Sequence, residues 1–100
     1  MKIRLLGSAY NDLKYGRRFY EKINSNLGDY FFECLFSEID SLMLYYGIHP
    51  KCFGYFRMLS KRFPYAVYYT IENEEILIWR VLDCRQSPKK TMKFLGMRMD

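Results

Sequence analysis

The feature that most constrains this 100-residue chain is a change of hydrophobic period at His49-Pro50. Upstream, apolar residues recur at spacings of three and four, the period of a helix with one buried face. Downstream they recur at every second position, the period of a strand. One half of the chain is therefore predicted to fold as helices and the other as sheet, and each must cover the other's apolar face.

Ahead of the helical half, Lys2 to Leu6 alternates and reads as a first strand. Ser8, after Gly7, is placed to cap a helix by accepting a bond from a free amide. From Ala9 to about Asn24, a stripe of Ala9, Leu13, Gly16, Tyr20 and Ile23 predicts one amphipathic helix, with Arg17, Arg18, Glu21 and Lys22 filling much of the other side. Asn24-Ser25-Asn26 breaks it. A second helix is predicted from about Gly28 to Tyr46, with Phe32, Leu35, Phe36, Ile39, Leu42, Met43 and Tyr46 inward. Asp29 and Glu33 suit the positive end of its dipole, and Gly47 suits a left-handed stop. The short break predicts an antiparallel helical hairpin.

After Pro50, Cys52 to Ser60, Tyr65 to Ile71 and Ile76 to Leu82 read as strands. In the first of these, Phe53, Tyr55, Arg57 and Leu59 face one way and Gly54, Phe56 and Met58 the other. Pro64 marks a strand start, and Glu72-Asn73-Glu74-Glu75 is a polar turn. Hairpin-length connections make an antiparallel meander that Ser87-Pro88 ends, leaving 89–100 as a basic tail or short helix. The sum is one α+β domain over residues 1–100, with its core in about 2–88. It has two layers in the order β-α-α-β-β-β: an N-terminal strand, then an antiparallel two-helix hairpin packed on an antiparallel sheet that the strand forms with three C-terminal strands. The pattern alone leaves the partner of the first strand open.

A chain of this length has room for one core. Half its residues are hydrophobic and 19% are aromatic, which excludes a disordered chain. No apolar run reaches membrane-spanning length, and Gly7-Ser8 interrupts the basic, apolar start before a signal core forms, so a cytoplasmic location is expected. Cys34, Cys52 and Cys84 are odd in number and lack paired spacing; reduced, mostly buried thiols are expected. His49, beside Pro50, is expected as a surface or turn residue. No metal site, cofactor, Gly-rich phosphate loop or GxSxG elbow is expected.

The net charge is +5, with all of it in the second half. Residues 1–50 carry six bases and six acids, residues 51–100 ten bases and five acids. There Arg57, Lys61, Arg62, Arg80, Arg85, Lys89 and Lys90 interleave with Tyr55, Phe63, Tyr65 and Tyr68. Cations beside rings can grip phosphates or carboxylates, so an acidic partner is expected, either nucleic acid or an acidic protein surface.

Leu59-Ser60-Lys61-Arg62-Phe63-Pro64-Tyr65-Ala66-Val67-Tyr68-Tyr69 and Ile78-Trp79-Arg80-Val81-Leu82-Asp83-Cys84-Arg85-Gln86-Ser87-Pro88 resemble the C-terminal half of the RelE/ParE toxin superfamily. Ala9 to Tyr20 resembles its first helix and Leu27-Gly28-Asp29-Tyr30-Phe31 the start of its second. The resemblance implies a toxin encoded beside a small antitoxin that masks it. It also divides by mechanism. RelE-like members cut messenger RNA in the ribosome, with the RNA's own 2′-hydroxyl as nucleophile; this needs a base, cations and an acid. ParE-like members poison DNA gyrase without nuclease chemistry.

RelE-like members carry an arginine in the strand matching Tyr65 to Tyr69, where this chain has Ala66, and a tyrosine after the last strand, where it has Gln86, Ser87, Pro88 and Lys89. The resemblance therefore favours the ParE-like branch, a gyrase inhibitor with no catalytic residues. Its implied target contacts are Arg57, Arg62, Arg80, Arg85, Lys89 and Lys90. Candidate anchors for a small, acidic antitoxin that folds on binding are Tyr10, Leu13, Phe31 and Tyr45, and operator DNA would be bound through the antitoxin. The alternatives are a RelE-like ribosome-dependent endoribonuclease using Arg85, Lys61 and Arg62, and a degenerate member that only binds its antitoxin and operator. Met92, Met97 and Met99 end the chain as an adaptable contact surface or a frayed terminus.

Overall fold

The computed structural model describes residues 1–96. Its order is β1 (Lys2–Leu5), α1 (Gly7–Ile23), α2 (Ser25–Asp40), α3 (Leu42–Tyr45), β2 (Lys51–Cys52), β3 (Tyr55–Leu59), β4 (Tyr65–Glu72), β5 (Glu75–Asp83) and α4 (Pro88–Leu95). The strands form one sheet in the order β1-β5-β4-β3-β2.

The α1–α2 hairpin packs on one face of this sheet. Leu13, Phe31, Leu35, Ile39 and Leu42 meet Met58, Val67, Tyr69, Ile76, Ile78 and Val81 in the main core. Two glycines set how closely the helices cross. A Cβ on Gly16 would stand 2.6 Å from the Phe31 ring, and one on Gly28 2.8 Å from the Arg17 carbonyl oxygen. Phe63 then inserts between the layers, with its ring centroid 4.9 Å from that of Tyr20 and 5.0 Å from that of Phe31. The Arg62-Phe63-Pro64-Tyr65 segment thus owes its aromatics to packing.

Several expectations are corrected. β1 pairs with β5 in parallel, from Lys2↔Glu75 to Leu5↔Ile78, so the sheet is mixed and not wholly antiparallel. The strand read over Cys52 to Ser60 is two strands. Phe53 and Gly54, both at positive φ, form a two-residue turn between β2 and β3. Tyr55, Arg57 and Leu59 still share one face, without Phe53. Ser8 does not cap α1; it lies inside the helix, and its Oγ donates to the Trp79 carbonyl at 2.6 Å. α2 starts directly after Asn24, whose side chain caps it by accepting from the Asn26 amide. It stops at Asp40, where Ser41 bonds back to the Glu38 carbonyl and sets α3 apart. Ile23, Met43 and Tyr46 are exposed, while Phe31, outside the predicted stripe, is fully buried. The three thiols are free, but Cys34 and Cys52 are half-buried and Cys84 is exposed.

β5 carries an irregularity that alternation could not reveal. Tyr68 pairs with Arg80 and Tyr69 with Ile78, so Trp79 is an extra residue and the face parity inverts. Ile76 and Ile78 face the helices before the bulge, and Val81 after it. On the opposite face Tyr55, Ala66, Tyr68 and Leu82 form a second cluster, which α4 closes with Leu95. The Tyr55 hydroxyl donates to the Leu95 carbonyl at 2.7 Å. The 89–100 segment is thus helical to Leu95, and Met97, Met99 and the rest of 97–100 lie outside the described residues.

Candidate interface at one end of the sheet

β3 ends where β4 begins, and β5 ends alongside them. The Cys84 amide donates to the Pro64 carbonyl at 2.8 Å, which ties the 60–64 loop to the 83–86 turn. Most of the cations singled out in the sequence collect at this end, but they face three ways.

Arg57 lies on the face away from the helices. Its Nε donates to the Tyr68 hydroxyl at 3.1 Å and its Nη2 to the Cys84 sulfur at 3.5 Å. Burial works most strongly against the Arg57 charge, but the bond to Tyr68 together with the nearby Tyr68, Cys84 and Cys52 side chains outweighs it, and the guanidinium is held above its ordinary pKa. Burial pushes the Cys84 thiol up, with Arg57 only partly offsetting it, so this sulfur is protonated at neutral pH and is a poor nucleophile. Burial likewise raises the Tyr68 hydroxyl, keeping it neutral.

Arg85 points towards the helix side. Its fork is bonded to Asp83, Nε at 2.9 Å and Nη2 at 2.7 Å from the carboxylate oxygens, and its guanidinium lies 5.9 Å from the Phe19 ring centroid. The bond from Arg85 holds Asp83 below its usual pKa. Lys90 lies on the same side, lining a groove with Asp83 and Gln86, and Lys89 is exposed in the first turn of α4. Lys61 and Arg62 line a different groove, against Tyr30, Glu33 and Glu38 of α2.

Arg80 is removed from the set of candidate contacts. The bulge turns it to α1, where Nε and Nη2 bind the two Asp12 carboxylate oxygens at 2.7 and 2.8 Å. Its Nη1 donates to the Phe94 carbonyl at 3.1 Å, and its guanidinium covers the Phe94 ring. Asp12 also accepts the Val81 amide at 2.9 Å. Arg80 is thus an internal tie between α1, β5 and α4. Of the proposed antitoxin anchors, Leu13 and Phe31 are fully buried in the core and present no surface, while Tyr10 and Tyr45 are 43% and 54% exposed.

Glu33, Glu38 and His49 are titratable groups that accompany Lys61 and Arg62 in their groove. His49 lies in the groove lined by Lys61 and Arg62, with its Nδ1 2.5 Å from the hydroxyl of buried Tyr69. Burial lowers its pKa. Among the described residues no three His, Cys, Asp or Glu side chains cluster as a metal site, and no helix is long and apolar enough to cross a membrane.

No family model matches the sequence, and no curated protein does. Among solved structures, a chain described as "Chromosomal ParDE TA system from P. aeruginosa" superposes with a TM-score of 0.73 over 81% of this chain and 92% of that one, at 16% identity. The chain has a ParE-like fold. In this ParE-like fold the strand position that the resemblance pairs with an arginine is Ala66, fully buried between Leu59 and Leu82 in the second cluster. It offers no group to a scissile phosphate. Gln86 and Ser87 follow β5, and Ser87 is occupied in capping α4. The bulge that sequesters Arg80 is the functional fact the sequence left unread; the one hint was a cation inside an apolar strand, between Trp79 and Val81.

Proposed function

We propose that the chain is the toxin of a toxin–antitoxin pair and that it acts on DNA gyrase by binding, without bond-breaking chemistry of its own. The observation that carries the toxin reading is the fold shared with a structure of a ParDE toxin–antitoxin system over most of both chains. The site supports the choice of binding over cleavage. Arg57 and Arg85 are charged at every physiological pH, Cys84 and Tyr68 are held neutral, and His49 is engaged with Tyr69. The arginines can grip carboxylates or phosphates but cannot take a proton from an attacking hydroxyl near pH 7, and the Nδ1 of His49 is turned to the buried Tyr69 hydroxyl. Arg57, Arg62, Arg85, Lys89 and Lys90 supply the contacts. The antitoxin, small and acidic, neutralises the chain in the cytoplasm and carries the pair to operator DNA.

The test is expression with and without the neighbouring open reading frame. Growth arrest with induction of the DNA-damage response, relieved by the neighbour, is expected. Arrest with cut messenger RNA and no DNA damage would replace the gyrase reading by a ribosomal one. Absence of arrest would leave a chain that only binds its antitoxin.

A further inference from the structure

A second cationic surface lies outside the late strands. It is a groove of about 650 Å³ between α1 and α4, floored by Val81 and Leu82 at the end of β5. Lys14, Tyr15, Arg18 and Phe19, one turn apart in two pairs, form one wall; Lys90 and Phe94, also one turn apart, form the other. The rings are accessible, with Tyr15 71%, Phe19 44% and Phe94 42% exposed. Buried apolar area is normally maximised in a folded domain, so three accessible rings in one groove mark a contact surface.

The charge balance identifies what fits. The two carboxylates that line the groove are already consumed, Asp12 by Arg80 and Asp83 by Arg85. Lys14, Arg18 and Lys90 have no carboxylate partner among the described residues, so both walls carry uncompensated positive charge. A nucleic acid strand would need open ring faces for its bases. One face of Phe94 is taken by the Arg80 guanidinium at 4.9 Å, and Phe19 is approached by that of Arg85. The floor is aliphatic. A peptide with alternating acidic and apolar side chains meets both the charge and the floor.

We propose that the groove between α1 and α4 is the docking site for an acidic, amphipathic segment of the antitoxin. Its carboxylates meet Lys14, Arg18 and Lys90, and its apolar side chains lie on Tyr15, Phe19 and Phe94. The inference rests on reading the chain as an antitoxin-neutralised toxin. It also explains how neutralisation reaches the target surface: Arg85 lies against Phe19 at the mouth of this groove, so an occupant covers it.

The test measures binding of the full chain to two probes, the protein encoded by the neighbouring frame and a labelled oligothymidylate. Circular dichroism verifies that each variant is folded. The double variant Arg18→Glu/Lys90→Glu is expected to bind the neighbour's product roughly tenfold or more weakly than wild type. Lys2→Glu is the control, a single charge reversal on exposed β1 beside Glu75 at the opposite end of the sheet, to be matched against Lys90→Glu alone. It is expected to bind within about twofold of wild type. Equal binding by the double variant and wild type overturns the docking site and leaves the toxin reading intact. No binding of the neighbour's product to wild type overturns the toxin reading and this site with it. Oligothymidylate binding that the double variant abolishes, with binding of the neighbour's product unchanged, assigns the groove to nucleic acid and overturns the peptide.

Discussion

Replacing Asp12 by alanine should unfold the chain more readily than almost any other single change outside the main core. The carboxylate accepts three bonds, from Arg80 Nε at 2.7 Å, Arg80 Nη2 at 2.8 Å and the Val81 amide at 2.9 Å. The Asp12 and Arg80 side chains are only 14% and 21% exposed. Breaking a fully buried pair by deleting one partner costs about 3–5 kcal/mol, because the other charge is left uncompensated. An orphaned buried amide adds about 1–3 kcal/mol. Arg80 keeps the Phe94 carbonyl and ring, and its residual exposure lets water reach the stranded charge. Together these place the loss at about 3 kcal/mol. For a domain of this size that lowers Tm by roughly 12–24 °C.

Urea unfolding followed by circular dichroism reads the loss directly, provided the m-value is unchanged. Arg80→Ala should be costly too, and the double variant should cost less than the two single changes summed, with a coupling of about 2 kcal/mol. A loss below about 1 kcal/mol for Asp12→Ala, or additive single changes, would refute the tie and return Arg80 to the pool of free contact residues.

Two further outcomes are specific. Gly28→Ala raises intrinsic helix propensity by about 1 kcal/mol, yet its Cβ would meet the Arg17 carbonyl oxygen at 2.8 Å; a net destabilisation of about 1–2 kcal/mol in urea is expected, and stabilisation would contradict the close helix crossing. His49 is favoured in its neutral form in the folded state by burial, and its Nδ1 shares a hydrogen bond with the Tyr69 hydroxyl, to which the Gly47 amide also donates. Its folded pKa lies below the ordinary 6.5, so the folded state binds fewer protons than the unfolded one. The stability it contributes is complete above that value and is lost as pH falls below it. The stability difference between wild type and His49→Gln should therefore shrink between about pH 7 and pH 5; a difference independent of pH would refute the contact.

The helical half was legible because helix burial is written in spacing. Ala9, Leu13, Gly16 and Tyr20 are the buried residues of α1, as their intervals predict. α2 was less so, because Phe31 and Gly28 sit on the seam facing α1 whereas the predicted stripe follows the seam facing the sheet. Strand existence and hairpin order in the second half could be read from alternation. The partner of β1 could not, since parallel pairing is joined by distant chain and leaves no turn signal. The bulge at Trp79 was hidden for a related reason. One inserted residue inverts the parity of everything after it, and Arg80 then reads as a surface cation when it is an internal one. The candidate surface was legible in kind, as arginines and lysines near the last two strands. Whether each is free depends on acids far away in sequence, such as Asp12, and no local pattern carries that information.

The central claim is that the cations at the end of the sheet hold a target and do not cut one. Supercoiling of relaxed plasmid by purified gyrase, titrated with the folded chain, tests it most directly. Inhibition that grows with added chain is expected, weakened when Arg57 and Arg85 are both replaced by alanine and abolished when the neighbouring frame's product is added first. Full supercoiling at saturating chain, together with cleavage of ribosome-bound messenger RNA by the same preparation, would contradict it.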